Sequence, residues 1–251
     1  MTDSQFAVAE AAGSGRLNIG NTWVSRRWRY LYMAVNKAAS SKIKMVLHQL
    51  EGYPLPADPF DVHARDRPGE AFVDKLPVSG GGDLAEILRG PDWRRFAFVR
   101  NPYERLYSAY KSKISDLASP YVSVRAAIWR AAGTRHPRKE APPFEAFVRY
   151  VAGLPDAGRD GHWRSQTGSL CLDLIDYGFL GRFENFERDF ASVLRGLGAP
   201  AEFYEGLNVV VGASEALPGA TAYDAALAEI AYETYAADFE TFGYVRDSWR
   251  A

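Results

Sequence analysis

Apolar residues along this chain fall either into short unbroken runs or into longer segments where they recur every three or four positions. The runs "RYLYMAV" (29–35), "RFAFVR" (95–100) and "YGFLGRF" (177–183) are rich in aromatic and branched residues, and they predict strands. The periodic segments predict helices. After "NKAASSK", Ile43, Val46, Leu47 and Leu50 stand at i, i+3, i+4 and i+7 and form one apolar face, which Gly52 and Pro54 end. Residues 52–82 are rich in Pro, Gly and Asp and read mostly as loop, while "DLAEILRG" (83–90) reads as a short helix closed by Gly90. Beyond the second strand, Asn101 suits an N-cap and Pro102 the first helical position, where its missing N–H costs nothing. In that helix Tyr103, Leu106, Tyr107, Tyr110 and Ile114 make a core stripe, with Glu104, Ser108, Lys111 and Ser112 on the opposite face. Further helices are expected at about 121–132, 143–152, 184–196 and 222–240. Strands alternating with helices predict an α/β fold with a central parallel β-sheet flanked by helices.

Composition narrows the class. At 251 residues one domain is expected, with residues 1–20 a loose arm of small residues. A content of 47% hydrophobic and 24% charged residues is that of a soluble globular protein, and a net charge of -1 offers no global attraction to nucleic acid or acidic membranes. Basic clusters at "RRWR" (26–29) and "RHPRK" (135–139) are either solvated faces or landing sites for an anionic substrate. Cys171 is the only cysteine, so no internal disulfide forms. There is no uninterrupted apolar run of about 18 residues and no basic-then-apolar leader pattern at the N-terminus. The expectation is a protein of a reducing, cytoplasmic compartment without a transmembrane segment.

Two strand-to-helix turns carry unusual polar residues, and in parallel sheets ligands bind at the carboxyl ends of strands. The first turn, Lys37-Ala38-Ala39-Ser40-Ser41-Lys42, sets two hydroxyls and two ammonium groups at a helix N-terminus, where amides and the helix dipole favour an anion. It lacks the Walker A pattern, and Ser40 has the alternative reading of a plain N-cap. At the second turn Arg100 ends a strand and Ser108 lies two turns into the next helix. Together they suit a phosphate gripped from two sides, unless Arg100 simply pairs with Glu104 and Ser108 faces water.

These segments resemble a known family. "NKAASSKIKMVL" resembles the 5′-phosphosulfate loop of sulfotransferases, and "FVRNPYERLYSAY" is very close to their 3′-phosphate motif. "HWRSQTGSLCLDLIDYGFLGRFEN" (162–185) and "YAADFETFGY" (235–244) resemble segments of the carbohydrate sulfotransferases that modify chondroitin, dermatan and the HNK-1 glycan. Asn36 and Ala39 replace a more usual proline and glycine, and Ser165 replaces a proline. Animal relatives are Golgi proteins with an anchor and disulfides, so a chain with neither is expected to be a bacterial, cytosolic relative.

The resemblance implies a P-loop-like three-layer fold and an enzyme using 3′-phosphoadenosine-5′-phosphosulfate (PAPS), with PAP as product and no metal. It places Lys37 through Lys42 on the 5′-phosphosulfate and Arg100 and Ser108 on the 3′-phosphate. Arg182 either approaches the nucleotide or pairs with Glu184. Lys37, matching the family's loop lysine, would neutralise the leaving phosphate.

A base is needed for the acceptor hydroxyl, and histidine suits neutral pH. His63, placed like a histidine that precedes the 3′-phosphate strand in the carbohydrate enzymes, and His162 are the candidates. Glu51 and Glu70 stay open because some relatives use a glutamate, whereas His48 and His136 read as solvated. Arg105 reads as tying its helix to the sheet, and Trp163 either packs in the core or stacks on a ligand. The acceptor implied is a carbohydrate hydroxyl. The alternatives are sulfation of a non-sugar small molecule and a catalytically silent nucleotide- or glycan-binding protein. A P-loop kinase is disfavoured by the missing Walker A pattern. Neither the acceptor's identity nor the oligomeric state is written in the sequence.

Overall fold

The computed structural model describes residues 21–54, 81–134, 140–205, 207 and 222–250. Chain contacts divide it into two compact units, each made of two stretches: the spans 1–99 with 169–214, and 100–168 with 215–251. The expected N-terminal arm and the basic run 135–139 lie outside the described residues, as does most of the loop 52–82.

The first unit holds a four-stranded sheet in the order β1 (Thr22–Ser25), β2 (Tyr30–Met33), β3 (Arg94–Val99), β4 (Phe179–Arg182). Strands β2, β3 and β4 run parallel, but β1 pairs antiparallel with β2, in a register that sets Thr22 against Met33 and Ser25 against Tyr30. The sheet is therefore mixed rather than wholly parallel. Four residues, Arg26 to Arg29, suffice for an antiparallel return, whereas a parallel partner needs a crossover of a dozen residues or more. The basic "RRWR" cluster is that turn: Arg27 lies over the Trp28 ring, and Arg29 pairs with Asp92 at 3.3 Å.

Residues of both parities along β2 and β3 are buried, which is why these strands read as continuous apolar runs. One parity, Tyr30, Tyr32, Phe96 and Phe98, joins Trp23 in a cluster with Ile43, Val46, Leu47 and Leu50 of α1 (Ser40–Leu50). Phe190 and Leu194 of a later helix complete it. The expected apolar face of α1 is thus the one that packs. The helix α2 (Gly81–Arg89) contacts β2 and ends at Gly90 as expected. Gly181 of β4 faces Phe98 so closely that a Cβ there would lie 2.4 Å from the ring. That ring is held by Phe186 and Phe190, 5.7 and 5.8 Å away between centroids, so only glycine fits.

The second unit is helical. Asn101 caps α3 (Pro102–Ala109) by accepting from the Tyr103 N–H at 3.0 Å, with Pro102 in the first turn, as its sequence predicts. The helix expected to run on through Ile114 instead widens into a π-helical segment, Tyr110–Ser115. After it, the guanidinium of buried Arg125 donates to the carbonyls of Lys113, Asp116, Leu117 and Ser119 and shapes that loop. Arg125 belongs to α4 (Val122–Ala131), which packs against α5 (Phe144–Ala152).

The short helix α6 (Gln166–Leu170) starts in this unit, and α7 (Phe186–Gly196), back in the first, supplies the Phe190 and Leu194 mentioned above. The helix expected over 222–240 is two, α8 (Ala225–Thr234) and α9 (Ala236–Phe242), broken at Tyr235. A tertiary bond accounts for the break: the buried Tyr235 hydroxyl donates to the Trp163 carbonyl at 2.5 Å. Tyr103, Leu106, Phe147, Trp163, Leu227 and Phe239 centre this unit's core. Among the described residues no helix is long and apolar enough to cross a membrane.

Candidate functional site

Because β2, β3 and β4 are adjacent and parallel, their carboxyl ends, Met33, Val99 and Arg182, lie at one edge of the sheet. From the first of these ends the chain runs through the Lys37–Lys42 turn into α1. Two residues of that turn, Lys37 (φ 68) and Ala39 (φ 63), adopt the left-handed conformation that costs a side-chain-bearing residue about 1–2 kcal/mol. The strain buys a sharp entry into the helix. Ala39, not Ser40, occupies the cap position, and it has no side-chain acceptor to offer the first-turn amides. Ala38 and Ser40 are buried, Lys37 and Lys42 partly so. Burial lowers the pKa of the Lys42 ammonium while the nearby Glu187 carboxylate opposes the shift, and the group sits 5.9 Å over the Phe186 ring. Lys44, which sequence reading passed over, is buried with its ammonium 5.1 Å over Trp23.

Glu51 and His48 both lie toward the far end of α1 from this turn. Glu51 is the C-cap of α1, about 16 Å along the 11-residue helix from the turn, and its carboxylate accepts from the Tyr30 hydroxyl at 3.2 Å. His48 sits in the last turn of the same helix, with Nε2 2.8 Å from the Pro54 carbonyl. Arg182 donates its backbone N–H to Asp189 at 2.9 Å, and its half-buried side chain stands at the carboxyl edge. His63 and Glu70 lie outside the described residues.

In the second unit Arg100 follows Val99 directly. Its guanidinium is buried and pairs with Glu104 at 3.3 Å, so the sequence's plainer reading of this pair is realised. Ser108, on the face of α3 opposite its core stripe, does not face water but is buried, at 7% exposure. The π-helical widening that follows is a feature common at functional sites.

What positions Arg100 is Gln166, a residue sequence reading saw only as part of a motif. Fully buried, it accepts from the Arg100 N–H and donates to the Arg100 carbonyl, at 2.9 and 2.8 Å. Asp238 of α9, equally buried, in turn accepts from the Gln166 and Thr167 amides, each at 2.8 Å. Arg105 ties α3 not to the sheet but to the 161–164 turn, donating to the carbonyls of Arg164 (2.8 Å) and Gly161 (3.3 Å). Three sequence motifs, 66 and 72 residues apart in succession, thus meet around one arginine.

The 160–163 turn carries the remaining candidates. Trp163 is core, packed edge-on against Phe147 at 5.4 Å. His162 is partly exposed, and its Nδ1 lies 2.7 Å from Asp160 Oδ1 and 3.0 Å from the Tyr121 hydroxyl. Burial pushes the Asp160 carboxyl up, but hydrogen bonds from the His162 side chain and backbone outweigh it and leave the net pKa lowered. Burial, with Asp160 beside it, raises the Tyr121 phenol to about 12. Asp160 was missed from sequence, although a carboxylate two residues before a histidine was there to be read. Among the described residues no group of three or more His, Cys, Asp or Glu is arranged to hold a metal.

Comparison with known proteins agrees with these segments. The model described as "Sulfotransferase family" matches residues 20–245. Carbohydrate sulfotransferase 8 of Mus musculus is 32% identical over 191 residues, covering 73% of this chain and 45% of the relative. Carbohydrate sulfotransferase 14 of Homo sapiens is 31% identical over 195 residues, covering 75% and 49%. Carbohydrate sulfotransferase 11 of Rattus norvegicus is 28% identical over 183 residues, covering 66% and 49%. The chain spans about half the length of the curated relatives it matches. No solved structure gives a significant match. With the family match running through the turn after β2, the Arg100 motif, the His162 turn and the whole closing motif, the chain belongs to the sulfotransferase family.

Proposed function

We propose that the protein moves the sulfuryl group of PAPS to a hydroxyl of a carbohydrate or glycoconjugate and releases PAP. The carrying observation is the family match over 20–245, which takes in both anion-binding segments in order. The names of the relatives, all carbohydrate sulfotransferases, supply the acceptor class.

The chemistry of the donor set fits a nucleotide phosphorylated at both ends. Lys37, Lys42, the Ser40 and Ser41 hydroxyls and the α1 amides take the 5′-phosphosulfate, with Ala38 and Ala39 giving the backbone close approach. Arg100 and Ser108 take the 3′-phosphate, and Arg182 adds charge at the carboxyl edge of the sheet. Sulfuryl transfer, like phosphoryl transfer, needs in-line positioning and neutralisation of charge on the leaving oxygen. Lys37 supplies that neutralisation. A histidine, His63 or His162, takes the acceptor's proton.

Transfer of radiolabelled sulfate from PAPS to a panel of oligosaccharides and small hydroxyl compounds tests this reading. Labelled glycan is the expected product. Label found only on non-sugar hydroxyls overturns the acceptor class, and PAP binding without transfer to any compound leaves a silent binding protein.

A further inference from the structure

Residues 246–250 lie just beyond the stretch matched by the family model, and they fold against the start of α3. Gly243, in the left-handed conformation (φ 63), ends α9. A short 3₁₀ turn, Ser248–Arg250, follows, and the Ser248 N–H donates to the Val245 carbonyl at 3.0 Å. Trp249 packs against the core of this unit, with the Arg250 guanidinium 4.8 Å over its ring. The Arg246 side chain pairs with Glu229 and stands 4.7 Å over Tyr232. The segment is anchored at both ends.

Hydrogen bonds tie it to α3. The Tyr103 hydroxyl donates to the Arg246 carbonyl at 2.7 Å, and Asn101 Nδ2 donates to Ser248 Oγ at 2.8 Å. The second bond fixes the Asn101 amide. The Tyr103 N–H can only donate, so the atom facing it at 3.0 Å is Oδ1, and the nitrogen is turned to Ser248. Ser248 is ready to accept, because its own proton goes to the Val245 carbonyl at 2.6 Å. The buried Asn101 side chain thus has both ends committed, one capping α3 and one on a residue 147 positions away.

Asn101 (φ -46, ψ 125) is where extended chain passes into helix, directly after Arg100. Gln166 holds the N–H and carbonyl of Arg100, and Ser248 holds the side chain of the next residue. Glu104, the partner of the Arg100 guanidinium, sits in the first helical turn that this cap sets. We infer that Ser248 is a positioning residue for the 3′-phosphate. Through Asn101 it fixes the direction in which Arg100 presents its fork of donors, so less freedom is lost when the phosphate arrives. The inference rests on the sulfotransferase reading above and adds to it a residue outside the matched stretch.

Isothermal titration with PAP and with adenosine 5′-phosphate reads what the 3′-phosphate adds to affinity. In the wild type PAP is expected to bind more tightly. Ser248→Ala removes the acceptor for Asn101, so the Kd for PAP rises about fivefold while that for adenosine 5′-phosphate stays unchanged. Ser248→Thr keeps the hydroxyl and the wild-type ratio of the two constants. Asn101→Ser keeps a helix cap but is too short to reach Ser248, so it lowers the ratio as Ser248→Ala does. It also makes the test should Ser248→Ala not fold. The double variant lowers the ratio no further.

A wild-type ratio in Ser248→Ala or in Asn101→Ser overturns the inference. So does equal weakening of both nucleotides, the mark of a strap that only stabilises the fold. A wild type that binds the two nucleotides equally well, or binds neither, defeats the sulfotransferase reading itself, and the inference with it, before any variant is made.

Discussion

Gln166 holds both polar groups of the Arg100 peptide unit, accepting from its N–H at 2.9 Å and donating to its carbonyl at 2.8 Å. Gln166 and Arg100 are both buried. Gln166→Leu strands two buried backbone groups, each costing about 1–3 kcal/mol. A total loss of roughly 2–6 kcal/mol is expected by urea denaturation, with at least a tenfold weaker Kd for PAP as Arg100 loses its placement. Gln166→Glu keeps the acceptor but not the donor and falls between. Wild-type stability in Gln166→Leu would show that the clamp is ornamental.

Gly181→Ala drives a methyl to 2.4 Å from the Phe98 ring. Phe98 cannot swing aside, since Phe179, Phe186 and Phe190 surround it. The expected loss is about 1–3 kcal/mol in a thermal or urea melt. Phe98→Leu in the same chain recovers part of it, and a double-mutant cycle with zero coupling refutes the packing argument.

The two left-handed residues before α1 answer differently to substitution. Ala39→Gly relieves the backbone without removing a functional group, so stability rises by up to about 1 kcal/mol with turnover retained. Lys37→Met keeps the left-handed strain and deletes the ammonium, so the melt is unchanged and transfer is lost. Lys37→Gly relieves the strain yet is as inactive as Lys37→Met. Turnover in either Lys37 variant at the wild-type rate removes the lysine from the reaction.

Alkaline pH is expected to unfold this protein through its tyrosines. Burial is the leading cause that raises the phenols of Tyr30, Tyr32, Tyr103, Tyr110, Tyr121, Tyr177, Tyr223 and Tyr235 above the ordinary value of 10.0. The folded chain keeps these protons where the unfolded chain releases them, so the stability they carry is whole below pH 10 and declines above it. Each fully enclosed phenol adds a slope of about 1.4 kcal/mol per pH unit. Melting temperature is expected to fall steeply between pH 10 and 12, with tyrosinate absorbance rising in the same cooperative step. Gradual, independent titration of the phenols in a folded protein would contradict the burial.

The strands and the α1 face were readable because burial on both sides leaves a continuous apolar run, and burial on one side leaves a period. β1 was not, since four residues, "TWVS", are too few to show alternation and its turn looked like a charge cluster. The break at Tyr235 and the π-helical widening at Tyr110 carry no glycine or proline. Tyr235 bonds to the Trp163 carbonyl and Tyr110 to that of Pro142, long-range contacts that local periodicity does not encode. The cationic and hydroxyl groups of the candidate site stood out by residue type at strand ends. Gln166, Asp238 and Asp160 did not, because they act on other residues of the protein, and only the fold says which.

β3 is hydrogen-bonded to β2 on one side and β4 on the other, yet β4 begins at Phe179, 80 residues after Val99. At 5–20 residues per second, a ribosome takes roughly 4–16 s to deliver the missing neighbour. For that interval Phe96, Ala97 and Phe98 offer an open, greasy rim to any other nascent chain. Expression at lower temperature, or with a holdase chaperone that shields such rims, should therefore govern the yield of soluble protein more than any change to the reacting groups.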